Sequence, residues 1–152
     1  MILTIDVENT VTKRNGKMHL DPFEPTNTLV MVGMLDDHGR ENIVTFDHSE
    51  QQPTTNGRRI VQDALDAAHL LVAHNAPHDL LWLWESGFTY TGEIFDTMLG
   101  EYVLQRGQKQ PLSLEACAER YELDTKKQDT LKEYFSKGIS CLLYTSPSPR
   151  DR

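Results

Sequence analysis

Cysteine is scarce in this chain: Cys117 and Cys141 are the only two, far apart and without Cys-x-x-Cys spacing. That pattern excludes a thiolate zinc cage and a disulfide framework, and it leads us to expect a reducing, cytoplasmic setting. Long apolar runs are missing too. Nothing approaches the roughly 18 consecutive apolar residues of a membrane helix, so no membrane partner is expected. The apolar start Met1–Ile5 is broken by Asp6 and has no basic leader, so no signal peptide is expected. Positive charge is in deficit, with 15 Lys and Arg against 23 Asp and Glu and a formal net charge of −8. This argues against a protein that grips duplex DNA through a broad basic surface. Nucleic acid stays open as a substrate, because carboxylates that hold divalent cations make a site acidic and the cations then attract phosphate.

What is present is enough for one domain with a real core: 152 residues, 38% hydrophobic and 25% charged. Met1–Val7 reads as a buried strand running into Glu8. Thr10–Asn27, punctuated by Gly16, Pro22 and Pro25, reads as a long loop. Thr28–Leu35 and Glu41–Asp47 flank an Asp36-Asp37-His38-Gly39 turn and read as a hairpin, and Ser49–Gly57 as a loop. Ile60, Val61, Ala64, Leu65 and Ala68 give Arg58–Ala68 helical spacing. Leu70–Ala73 is a short strand, followed by a helix with Pro77 in its first turn and Gly87 as its stop. Thr89–Phe95 reads as a strand, Asp96–Leu104 as a helix opened by Asp96, and Pro111–Tyr121 as a helix capped by Ser113. Asp129–Lys137 is a last, weaker helical segment. Three strands followed by alternating helix and strand predict an α/β domain with a mixed sheet.

The last twelve residues, CLLYTSPSPRDR, break with this pattern. They resemble one translated frame of a transposase-type sequencing adaptor, and a flexible proline-rich tail is the other reading. We set residues 141–152 apart as a non-native scar, take 1–140 as the domain, and expect the natural protein to continue past Ser140.

The chemistry rests on acids. Asp6 and Glu8 stand two apart on a strand, so both carboxylates project from one face. Like charges side by side are unfavourable unless a cation lies between them, and hard cations such as magnesium or manganese favour carboxylate oxygen. Alone, an Asp-x-Glu more often begins a solvated loop. In His74-Asn75-Ala76-Pro77-His78-Asp79, Asp79 lies early on an apolar helix after a buried strand. By itself it reads as helix-dipole complementation, with His74 and Asn75 as capping residues. Together the segments shift the balance, because a strand-end Asp-x-Glu and a helix-borne Asp can converge at one edge of a sheet.

This pair of motifs resembles the first two exonuclease motifs of the proofreading 3′–5′ exonuclease domains with a ribonuclease H-like fold. Asp96-Thr97-Met98-Leu99 is similar to a segment of the family A DNA polymerase exonuclease domains, and Leu112-Ser113-Leu114 to another, while Lys132-Glu133-Tyr134-Phe135 resembles phage-type polymerases. The resemblance implies a ribonuclease H-like mixed β-sheet flanked by helices, incomplete at the C-terminus. It implies Asp6, Glu8 and Asp79 as catalytic ligands of two divalent metal ions (Mg2+ or Mn2+), with Glu8 on the ion that holds the attacking water. It implies a single-stranded DNA 3′ end as substrate and a polymerase domain on the same natural chain. His74 and Asn75 are expected at the nucleotide pocket or as satisfied buried polar groups. Asp96 with Thr97 is expected to be a structural cap, and Trp82 and Trp84 to pack in the core. The family's third motif, Tyr-x-x-x-Asp, does not occur after any tyrosine of this sequence. The fragment alone is therefore expected to have little or no activity. A catalytically dead nucleic-acid binding module and a free-standing exonuclease are the alternatives.

Overall fold

A computed structural model describes residues 1–49 and 51–123 of the chain. The expected helix at Asp129–Lys137, Asp129 itself and the segment 141–152 lie outside the described residues. The strands are β1 (Ile2–Asn9), β2 (Thr12–Arg14), β3 (Lys17–His19), β4 (Leu29–Asp36), β5 (Glu41–Thr45), β6 (Leu70–Ala73) and β7 (Glu93–Asp96). The helices are α1 (Gly57–Ala67), α2 (Ala76–Glu85), α3 (Thr97–Leu104) and α4 (Leu114–Arg120). Five strands form one sheet in the order β5-β4-β1-β6-β7. β1 pairs antiparallel with β4, and β4 with β5, whereas β6 runs parallel to both β1 and β7. The domain is thus α/β with a mixed sheet flanked by helices. No helix among the described residues is long and apolar enough to cross a membrane.

Alternation along β1 decides the layers. Leu3, Ile5 and Val7 are buried on one face, with Val32 and Met34 of β4 and Val44 of β5 beside them. Val61 and Leu65 of α1 and Ala76, Leu80 and Leu83 of α2 close over that face in a single cluster. The intervening residues Thr4, Asp6 and Glu8 pair with Leu35, Gly33 and Met31 and so share the opposite face. Ile43 belongs to that second face and is 62% exposed, so the inward residue of β5 is Val44.

Local chemistry explains most boundaries. α2 ends in a Schellman arrangement at Gly87, whose φ of 92° suits glycine, with Phe88 N–H bonded to Leu83 O and Gly87 N–H to Trp84 O. α4 starts at Leu114, not Pro111, because the Ser113 hydroxyl accepts the Ala116 amide and fixes the first turn there. The expected loop Thr10–Asn27 contains a small hairpin, β2–β3, turned at Asn15 and Gly16, both with positive φ. The buried Asn27 amide then ties this excursion together by donating to the carbonyls of His19 and Asp21. The strand expected over Thr89–Phe95 is confined to Glu93–Asp96: the Thr89 backbone bonds to the Gln62 side chain and the Tyr90 hydroxyl donates to Glu93 O, so the residues before Glu93 stay out of the sheet. Trp82 is buried and donates its indole N–H to Leu20 O, but Trp84 is 51% exposed: it stands on the outer side of α2.

Candidate active site

Pairing between β1 and β6 spans only Ile2–Thr4 against Leu70–Val72, so the flank of β1 beyond Thr4 is left open on that side. Asp6 and Glu8 sit on this freed stretch, still held on the other flank by β4 opposite Gly33 and Met31. Past β6 the chain turns through His74 and Asn75 into α2, which folds back over the β1 flank. Asn75 makes that corner with φ 64° and ψ 57°, a left-handed conformation that asparagine tolerates better than most residues.

The turn places Asp79 in the first turn of α2, fully buried at 0% exposure. Its Oδ1 accepts the Val7 amide at 3.3 Å, at the peptide that lies between the two acids of β1. A buried carboxylate is costly unless hydrogen bonds or opposite charge offset its desolvation. The Val7 amide and the positive end of α2 both act in that sense. Glu8 is also buried, at 8% exposure, while Asp6 is half-buried and borders a cleft of about 380 Å³ on the second face of the sheet. His74, Thr97 and Leu114 line the same cleft.

His74 is buried and held at both ring nitrogens, Nδ1 by the Thr97 hydroxyl at 2.9 Å and Nε2 by Leu112 O at 2.7 Å. Since a carbonyl only accepts, Nε2 carries a proton. The ring thus links the end of β6 to the start of α3 and to the segment leading into α4. α4 is anchored again by Glu101, which accepts from Arg120 at 3.0 Å and from the Tyr121 hydroxyl at 2.8 Å. The Tyr121 hydrogen bond, with Arg120 beside it, holds the Glu101 carboxyl below its usual range. Burial pushes the Cys117 thiol up.

Asp96 ends β7 and caps α3, its Oδ1 accepting Met98 N–H at 2.9 Å and Leu99 N–H at 3.4 Å. It also reaches across to α2, where Oδ1 accepts Asn75 N–H at 2.9 Å and Oδ2 accepts Ala76 N–H at 3.1 Å. This second set of contacts has no sequence signal, because it depends on the parallel register that puts Asp96 opposite Ala73.

The donors Asp6, Glu8 and Asp79 are hard oxygen ligands of the kind divalent magnesium or manganese takes. Asp6 and Glu8 share a face, and Asp79 comes to the peptide between them from the helical layer. Among the described residues, no group of three or more His, Cys, Asp or Glu lies close enough together to hold one metal ion. The donor set fits the group in kind, as hard oxygen ligands.

None of the curated proteins matches the chain. Among solved structures, an apo form of a nuclease aligns with a TM-score of 0.58 at 19% identity, over 97% of this chain and 61% of that one. Brucella melitensis NrnC with bound Mg2+ aligns with a TM-score of 0.58 at 18% identity, over 93% of this chain and 68% of that one. The family B DNA polymerase of the hyperthermophilic archaeon Pyrobaculum calidifontis aligns with a TM-score of 0.55 at 14% identity, over 89% of this chain and 21% of that one. The chain therefore spans less than two thirds of the first of these structures, and at these identities the likeness establishes the fold, a ribonuclease H-like one. The sequence model of the 3′–5′ exonuclease family matches residues 18–145, a stretch that takes in His74, Asn75, Asp79 and Asp96, and the chain belongs to that 3′–5′ exonuclease domain family.

Proposed function

We propose that this domain serves metal-dependent 3′–5′ exonucleolytic removal of nucleotides from a single-stranded DNA end, with Asp6, Glu8 and Asp79 as its acidic ligands. The observation that carries the reading is the hydrogen bond from Val7 N–H to Asp79 Oδ1, which brings the helix-borne acid to the peptide between the two strand acids. Asp6 and Asp79 would hold the divalent ions, with Glu8 as a further carboxylate ligand beside Asp6 on β1. Divalent ions held by these three carboxylates would supply Lewis-acid activation of water and charge stabilisation at the scissile phosphate. His74 and Asn75 border the nucleotide, His74 from the wall of the cleft that Asp6 also lines. Asp96 and Thr97 act structurally. The products are nucleoside 5′-monophosphates and a shortened 3′ end.

Two natural settings suit such a domain. The motif resemblance favours a polymerase domain on the same natural chain, of the family A phage type, for which the exonuclease removes misincorporated ends. A free-standing exonuclease fits the family and the fold equally, and sequencing the source gene past codon 140 distinguishes the two.

The test is a manganese titration of the purified chain, followed by the electron paramagnetic resonance signal of free Mn2+. Wild type binds Mn2+, and Asp6→Ala and Asp79→Ala each weaken binding by about tenfold or more. Cleavage of a 5′-labelled oligonucleotide is slow, because the sequence offers no Tyr-x-x-x-Asp pair, and it proceeds from the 3′ end. Absence of Mn2+ binding in the wild type overturns the reading in favour of a nucleic-acid binding module without catalysis.

A further inference from the structure

The junction around Asp96 does more than start a helix. A carboxylate that only caps α3 needs the amides of that helix's first turn, and Met98 and Leu99 supply them. Asp96 takes two further amides, from Asn75 and Ala76, which are the N-cap and first residue of α2. One side chain thus serves the N-terminal ends of two helices at once, where four amides in each would otherwise lack intrahelical partners. α2 offers no cap of its own: Asn75 makes no side-chain capping hydrogen bond, and Pro77 in the first turn has no N–H to satisfy. The Asp96 carboxylate takes up the first amides of that helix, at its positive end, where Asp79 also lies.

The consequence falls on Asp79, three residues beyond Ala76 and one helical turn along the same rigid element. Its Oδ1 meets the Val7 amide at 3.3 Å, a long contact that a small rotation of α2 would break. Two other contacts brace the same corner without touching α2, those of the Thr97 hydroxyl oxygen with His74 Nδ1 and with Ala73 O, at 2.9 and 3.4 Å. They fix α3 against β6, and Asp96 transmits that fixed point to α2.

We infer that Asp96 is a positioning residue for the acidic site: by capping α2 from the end of β7 it sets the approach of Asp79 to the β1 strand acids. The inference rests on the proposed function only where it concerns metal. Its structural part, the coupling of Asp96 to the Asp79–Val7 contact, stands independently.

The experiment compares wild type with Asp96→Ser and Asp96→Asn by amide hydrogen exchange, read at Val7, Asn75, Ala76, Met98 and Leu99, with Mn2+ titration alongside. Serine can still cap α3 but is too short to reach Asn75 and Ala76 as well. Asparagine keeps one acceptor oxygen and loses the other, so it should fall between serine and wild type. Expected in Asp96→Ser are retained protection at Met98 and Leu99, at least about tenfold faster exchange at Asn75, Ala76 and Val7, and Mn2+ affinity weakened by about tenfold. Val7 protection equal to wild type in Asp96→Ser overturns the inference, whatever happens to metal binding. Faster exchange at Val7 in a protein whose wild type binds no Mn2+ upholds the positioning role and removes the exonuclease reading. If Asp96→Ser does not fold, Asp96→Asn decides: unchanged exchange at Ala76 and Val7 overturns the inference, and faster exchange at both upholds it.

Discussion

Glu101 shows how single carboxylates do different work in this domain. Its charge is held by the Tyr121 hydroxyl and the Arg120 guanidinium, and these partners belong to the end of α4. Its folded pKa lies below the unfolded value, so its stabilisation is fully present above the unfolded pKa of about 4.3 and is lost as pH falls through the lower folded value. Glu101→Gln should therefore lower stability near neutral pH, and the gap to wild type should close on acidification below about pH 4, measured by urea denaturation across pH. Loss of a gap only at high pH would contradict this sign. Asp79 stands at the other extreme, fully buried and committed to the β1 flank. The local sequence singled out Asp6, Glu8 and Asp79 as acids worth weighing, but it offered only spacing. Which peptide Asp79 meets is decided by the length of β6 and by the left-handed corner at Asn75. Trp84 was misread for a related reason: on a helix apolar on most sides, composition does not tell which tryptophan faces the sheet.

At the scale of elements, α1 depends on a glycine for closeness, not for unusual dihedrals. A Cβ built on Gly57 would lie 2.8 Å from Val44 Cγ1, inside the core contact between α1 and β5. Gly57→Ala gains up to about 1 kcal/mol of helix propensity, less at a first-turn position. Against that, crowding a packed valine costs about 1–3 kcal/mol, so the net effect should be destabilising by about 1–2 kcal/mol in chemical denaturation. A stabilised variant would show that Val44 yields freely. Elements with strong periodicity or clear caps were legible: α1 from its apolar spacing, α3 from Asp96, α4 from Ser113. The β2–β3 hairpin was not, because its strands carry polar, exposed residues and are held by the Asn27 side chain from outside the hairpin. Nor was the late start of β7, since Thr89 and Tyr90 have strand-like propensity but Thr89 hydrogen-bonds through both its backbone N–H and C=O to the Gln62 side chain of α1 instead of a neighbouring strand.

For the molecule as a whole, stability concentrates on one face of the sheet, where α1 and α2 cover β1, β4, β5 and β6 in one cluster. Leu71 lies in the middle of it at 1% exposure, on the strand joining β1 to β7. Leu71→Ala should cost about 2–5 kcal/mol in urea denaturation, and a loss under 1 kcal/mol would mean that β6 does not anchor the sheet. The same strand fixes the candidate site, because it stops short of Asp6 and launches α2. The sequence by itself determined the α/β class, the hairpin β4–β5, the caps of α3 and α4 and which acids are candidates, since periodicity, turn residues and carboxylate spacing are local properties. Only the tertiary structure decided that Asp79 meets the Val7 amide and that Asp96 caps two helices. Both depend on the parallel register of β6 with its neighbours, which no run of adjacent residues encodes.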